Sequence, residues 1–228
     1  LQHRECNEAV VAGVNVLTAG GSIACAMAGM LSPDGKCHTF DESANGYCRS
    51  EGCGAMVLKR LSDAERDGNR IYAVIKGSAV MQDGRSASLT APNGLAQEQL
   101  LRAALSDAGV DARDVSLVEA HGTGTKLGDP IETEALAAVY GARSGRSSDF
   151  PLHVCSVKAN IGHLEPAAGM AGLFSAILSL QHGPAPGNAQ LRVLNEKISA
   201  TVDGEHIVFP RELTRLQPRV DGKSLVAG

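Results

Sequence analysis

The amino-acid sequence predicts an α/β domain in which strands alternate with helices and the sheet is covered on both faces. Three observations carry this. Runs rich in β-branched residues alternate along the chain with segments of helical period. The apolar content is large but made of small residues: 43% of the chain is hydrophobic, 3% is aromatic and none is Trp, against 26 glycines, so layers must approach closely. Two strand-like runs also end in glycine-bearing loops that carry a histidine, which is where open α/β sheets hold ligands.

Taken in order, Ala9 to Leu17 reads as a buried strand, and Met30 to Gly46, with Pro33-Asp34-Gly35 and Asn45-Gly46, as a long functional loop. Gly54 to Leu61 returns to strand character, and a short helix from Ser62 to Asp67 closes at Gly68, the best internal boundary. Strand Ile71 to Ser78 follows, then a loop through Asp83-Gly84 and Pro92-Asn93-Gly94. Leu101, Ala104, Leu105 and Ala108 recur at helical spacing, which predicts a helix over Leu95 to Ala108 stopped by Gly109. Strand Ser116 to Ala120 leads into a helix beginning at Pro130, and strand His153 to Val157 into a long helix ending near Gly183. Such alternation implies a parallel or mixed sheet. The tail after Gly183 reads as a wrapping segment or linker.

Charge narrows the partners. The net charge of -4 and pI near 6.0, with scattered Lys and Arg, offer no footprint for nucleic acid or an acidic membrane. The apolar run from Ala9 to Ala19 is too short and too interrupted to span a bilayer, and no signal peptide is visible. Six cysteines without a C-x-x-C pair predict reduced, mostly buried thiols in a cytoplasmic setting. The chain opens in mid-pattern without Met and stops directly after apolar residues, so a fragment is expected.

In VSLVEAHGTGTKLGDPIE a strand delivers His121; Gly122 and Gly124 allow a tight turn, and the hydroxyls of Thr123 and Thr125 can bond a substrate amide. Asp129 as N-cap, Pro130 at the first helical position and Glu132 at the third form a capping box, a structural job. The loop lacks the P-loop pattern, so nucleotide binding is not expected. By itself this motif fits a buried histidine satisfied by backbone. In HVCSVKANIGHLEPAAGMAGL a second strand end delivers Lys158 and then His163 ahead of a helix opened by Pro166, whose small residues suit the centre of a fold. Lys158 alone would read as a snorkelling lysine. No metal-binding spacing involves His121, His153, His163 or the cysteines, and no G-x-S-x-G turn supports a hydrolase.

These residues resemble the β-ketoacyl synthases, especially the ketosynthase domains of type I modular polyketide synthases. The matching stretches are VVAGVNVL (Val10 to Leu17), GMLSPDGKCHTFDESANGYCRSEGCGAMVLKRLSDA (Gly29 to Ala64), GSAVMQDGRSASLTAPNG (Gly77 to Gly94), VEAHGTGTKLGDPIE (Val118 to Glu132) and SVKANIGHLEPAAGMAGL (Ser156 to Leu173). The resemblance implies a thiolase-like layered αβαβα fold, truncated at both ends and homodimeric in full length. Residues 1–68 would end the first half, 69–186 form most of the second, and 187–228 be an extension or linker, with the closing strands missing. It implies decarboxylative Claisen condensation of a malonyl-type extender with an acyl thioester. No cofactor is bound directly; the substrates ride on the phosphopantetheine of an acyl carrier protein, and acyltransferase and other synthase domains are neighbours. His121 and His163 match the family's histidines, and Lys158 its lysine, a cation expected to lower the histidine pKa values. Thr123 and Thr125 match the hydroxyls expected to bind the pantetheine arm.

Departures from the family pattern matter equally. The nucleophilic cysteine belongs to an Asp-Thr-Ala-Cys-Ser-Ser type of elbow absent here, and register places it shortly before Leu1. None of the six cysteines replaces it, and Cys53 reads as a packed core thiol. The fatty-acid branch has a glutamate fourteen residues after the lysine; here that place is Gly172, and Glu165 fits the polyketide pattern. A fatty-acid ketosynthase and a non-condensing, ketosynthase-like companion chain are the alternatives. The fragment alone is expected to be inactive.

Overall fold

A computed structural model describes residues 1–86, 91–220 and 223–228. Along the chain run β1 (Glu8–Asn15), α1 (Ala19–Met27), β2 (Gly52–Lys59), α2 (Leu61–Arg66), α3 (Gly94–Ala108), β3 (Leu117–Glu119) and α4 (Gly128–Tyr140). There follow β4 (Leu152–Cys155), α5 (Lys158–Ile161), α6 (Ala168–His182), β5 (Pro184–Ala185), α7 (Glu196–Val202), β6 (Ile207–Val208) and β7 (Thr214–Arg215). The stretch Gly77 to Gly94 includes residues 87–90, which lie outside the described residues.

The central sheet has the order β3-β4-β6, all parallel, with Leu117 opposite His153 and Leu152 opposite Ile207. Its central strand β4 is buried throughout and β3 nearly so, as parallel strands between covering layers must be, while Val208 at the β6 edge is exposed. Phe40, Val118, Leu136, Leu152, Val154, Ile198 and Phe209 share one core cluster, each full burial being worth about 1.5–3 kcal/mol. Because β3 and β4 are parallel neighbours, their carboxyl ends lie side by side, which brings the two histidine loops together.

The pair β1 and β2 is antiparallel, from Glu8 opposite Lys59 to Asn15 opposite Gly52. Glycine on these strands has a packing reason: a Cβ at Gly52 would lie 2.4 Å from Leu164 Cδ2, and one at Gly54 2.5 Å from Met170 Cγ. The opposite face is open. Val10, Val14, Val16 and Val57 are 58–74% exposed, so the run Ala9 to Leu17 forms the expected strand but is not buried, because among the described residues only one of its faces is covered. Cys53 lies exposed on β2 rather than in a core, and of the six unpaired thiols only Cys37 and Cys155 are buried. The run Ile71 to Ser78 is not assigned as a strand either, since no described neighbour offers it a ladder; its Tyr72 carbonyl accepts instead from Gln181 and its Ser78 N–H donates to Asp107.

Helix α3 starts at Asn93, whose side chain accepts from the Ala96 N–H, and ends at Gly109 in the left-handed region. The tail is more than a linker: β6 extends the central sheet, Leu191, Ile198, Phe209 and Leu216 are buried, and Gly228 exchanges backbone bonds with Leu117 and Glu119 along β3. No helix among the described residues is long and apolar enough to cross a membrane.

Candidate active site

The chain leaves β3 at Glu119 and turns sharply at Gly122, where φ is +42° and a Cβ would lie 2.7 Å from that of Ser156. A side chain has no room there. The loop is clamped from below by two carboxylates. Glu132 accepts the consecutive N–H groups of His121 (2.6 Å) and Gly122 (2.9 Å), while Asp129 accepts those of Gly124 (3.1 Å), Thr125 (3.3 Å) and Phe40 (2.8 Å). Thr39 adds a hydroxyl donated to the Gly122 carbonyl at 2.7 Å.

This corrects the capping-box reading. Helix α4 begins at Gly128, two residues before Pro130, so Asp129 lies inside its first turn and Glu132 just beyond it, and both carboxylates reach back to the loop. Burial is the largest influence on Asp129 and pushes its carboxyl up to about 7, against the pull of its three N–H donors.

His163 is reached from β4 through α5. Its N–H donates to the Cys48 carbonyl at 2.7 Å, and its own carbonyl accepts from Ser50 at 3.0 Å. The Glu165 N–H donates to His163 Nδ1 at 3.0 Å, so the neutral ring carries its proton on Nε2. Glu165 itself sits at φ +47°, an uncommon conformation for a side-chain-bearing residue. Arg49 holds it there with two bonds of 2.8 Å to the two carboxylate oxygens, and Arg49 also donates to Ser22 while Asn15 donates to Glu165.

The two imidazoles meet edge to face, with centroids 5.6 Å apart and planes at 90°, and Tyr47 packs against His163 at 5.2 Å. Burial, then Lys158, then His121 depress His163 to about 4. His121 is open to solvent along one side, yet crowding by protein is still the first cause lowering its pKa, with Lys158 adding to the fall and Glu132 opposing it. Burial thus outweighs Lys158, the cation expected from the sequence to lower both values, which does add to the fall. Lys158 is itself buried, 6% exposed, and burial lowers its pKa.

Thr123 is buried in the clamped loop, and the Thr125 hydroxyl accepts from the Gly128 N–H at 3.1 Å, which leaves it a proton to donate. Cys37 and Cys155 have thiol pKa values raised by burial, and each thiol donates to a backbone carbonyl. Neither has the electropositive setting of a reactive thiol. Among the described residues no cluster of His, Cys, Asp and Glu could hold a metal ion.

The structure brings together His121 and His163, the two histidines singled out in the sequence, with Lys158 close enough to act on both. Sequence reasoning misses Tyr47 and Arg49, which come from a loop far upstream, and it gives Asp129 and Glu132 the wrong partners; the two carboxylates close behind a glycine turn are the available signal.

The family described as beta-ketoacyl synthase, N-terminal domain, matches residues 1–64, and that described as beta-ketoacyl synthase, C-terminal domain, matches residues 72–192. A phenolphthiocerol/phthiocerol polyketide synthase of Mycobacterium tuberculosis is 52% identical over 200 residues, covering 87% of this chain and 9% of the relative. The 6-methylsalicylic acid synthase of Aspergillus niger is 49% identical over 214 residues, covering 93% and 12%. The chain therefore spans about a tenth of the length of these relatives. Among solved structures, the ketosynthase from module 6 of the bacillaene synthase of Bacillus subtilis superposes with a TM-score of 0.90 at 40% identity, covering 100% of this chain and 39% of that one. The oxazolomycin ketosynthase domain of Streptomyces albus gives 0.90 at 38%, covering 98% and 38%. With a family match over more than half its length and a ketosynthase thiolase-like α/β fold, the chain belongs to the β-ketoacyl synthase family.

Proposed function

We propose that this chain supplies the charge-stabilising part of a polyketide synthase ketosynthase site. The reaction is decarboxylative condensation. A cysteine thiolate outside the six present here takes an acyl group from a carrier phosphopantetheine thioester and releases its thiol. A malonyl-type thioester then loses carbon dioxide, the electron pair of the broken C–C bond forming an enolate. The enolate carbon attacks the acyl-cysteine thioester and expels the cysteine thiolate.

The edge-to-face histidine pair at 5.6 Å is the observation that carries this reading. Charge develops on the thioester oxygen during decarboxylation, and two neutral imidazoles at this spacing can both reach one oxygen. Fixed donors in a crowded site need no reorganisation as charge forms. A protonated ring would risk quenching the carbanion, so the depressed pKa values of His121 and His163 serve the reaction. Lys158 contributes to that depression. Thr123 and Thr125 are assigned to the pantetheine arm, Thr125 through its remaining hydroxyl proton.

The partners that follow are an acyl carrier protein, an acyltransferase and further synthase domains, in the cytoplasm. The relatives' multidomain length supports this. The division near Gly68 is supported by the family matches, which leave residues 65–71 between them. The open valine face of β1 and β2 supports a complete, dimeric domain in which that face is covered.

The test uses a complete ketosynthase domain containing this sequence and follows malonyl-carrier decarboxylation. His121→Ala and His163→Ala should each lower kcat by about 100- to 1000-fold. Wild-type rates in both variants would remove the reading.

A further inference from the structure

Glu119, the last residue of β3, is not used in the mechanism above. Its carboxylate accepts the Val157 N–H at 2.6 Å through Oε1 and the Ser175 hydroxyl at 3.0 Å through Oε2. Val157 directly precedes Lys158, and Ser175 lies on α6, so this one side chain joins the central sheet, the entry to α5 and the small-residue helix.

Lys158 needs such a neighbour. It is buried, and among the described residues it forms no ion pair within 4.0 Å. Three carboxylates act on it, and Glu119 acts most strongly. All three accept N–H or O–H groups, but Glu132 and Asp129 bind those of the His121 loop and of Phe40, whereas Glu119 binds the N–H of Val157, the residue directly before Lys158. Burial raises the Glu119 carboxyl pKa and Lys158 lowers it, as expected of two opposite charges sharing a crowded space.

The facing helix is shaped around Glu119. Gly172 is buried on α6, and a Cβ there would lie 3.1 Å from Glu119 Cγ and 3.9 Å from its Oε1. The carboxylate stem thus occupies the room that a side chain at 172 would take.

We propose that Glu119 is the positioning residue for Lys158, holding its charge beside the histidine pair from the strand side, and that Gly172 is bare because Glu119 fills its space. The inference rests on the condensing reading above. It has a reciprocal consequence: a carboxylate launched from position 172 can replace one lost from position 119.

In a complete ketosynthase domain containing this sequence, Glu119→Ala should lower kcat for malonyl-carrier decarboxylation by about 100-fold with KM little changed, as expected of a misplaced catalytic group. Glu119→Gln keeps the shape and loses the charge, and it should also be impaired. Gly172→Glu alone should be impaired by crowding and a second buried carboxylate. Combining Glu119→Ala with Gly172→Glu should recover about tenfold or more over Glu119→Ala. If Glu119→Ala does not fold, the Gln variant and the double variant carry the test. Wild-type kcat in Glu119→Gln, or a double variant no better than the worse single, would overturn the proposal. A wild-type domain without any turnover would strike down the condensing reading itself.

Discussion

The loop carrying His121 is fastened from inside by two carboxylates, Asp129 and Glu132, that gather backbone N–H groups, whereas the loop carrying His163 is fastened from outside by the Arg49–Glu165 pair and by backbone bonds to Cys48 and Ser50. A largely buried carboxylate clamp, with no cation within 4.0 Å among the described residues, is rigid and responds to protonation. An ion pair nearer the surface orients one ring nitrogen, and solvent can share its load. The two rings meet at one place, yet they should respond differently to mutation, pH and salt.

The largest effect is expected at Asp129. In Asp129→Ala the buried N–H groups of Phe40, Gly124 and Thr125 lose their acceptor, at a cost of about 3 kcal/mol or more. Denaturant unfolding measures this, and stability within about 1 kcal/mol of wild type would show that the clamp is not holding the loop. Gly122→Ala comes next. It forces a side chain into a left-handed turn against Ser156 and Thr39, for about 2–3 kcal/mol by the same measurement.

Acid titration separates the loops by sign. Asp129 has its pKa raised to about 7 from the ordinary 3.8, so the folded state binds the proton more tightly, and the Asp129 contribution to stability falls as pH rises between those values. His163 is depressed to about 4 from 6.5, so the unfolded chain takes up protons first, and the His163 contribution is present above 6.5 and lost as pH falls toward 4. Relative to wild type, Asp129→Asn should therefore be most destabilised near pH 4 and His163→Gln above pH 6.5. Parallel pH dependences for the two variants would refute the distinction. The smallest effect is expected for Arg49→Gln, which releases Glu165 from its unusual backbone conformation. Its loss of decarboxylation rate should be less than that of either histidine variant and should shrink as salt is raised, because salt already weakens the wild-type pair.

Much of this is legible in the sequence for a local reason. The period of α3, the stop at Gly109 and the arrival of His121 and His163 behind β-branched runs depend on neighbouring residues. What escapes depends on residues far apart in the chain. Arg49 and Glu165 are 116 positions apart, and Phe40 and Asp129 are 89 apart, so no spacing rule links them. Asp129 and Glu132 are visible but misassigned, because carboxylates at a helix start can cap their own helix or reach back to a preceding loop, and only the loop's position decides. The strand at Ile71 to Ser78 fails because its pattern predicts a preference, while a strand also needs a partner. The open face of β1 has a similar origin: Val10 and Val14 announce burial, and the described residues cover only the other side.

The central claim is that the site presents neutral imidazoles with the His163 proton fixed on Nε2. The most direct measurement is a pH titration of 15N-labelled histidines by NMR. The expected result is a His163 ring that is neutral and protonated on Nε2 at pH 7 and that titrates near 4. A His163 midpoint at or above 6.5, or a proton on Nδ1 at neutral pH, would contradict it.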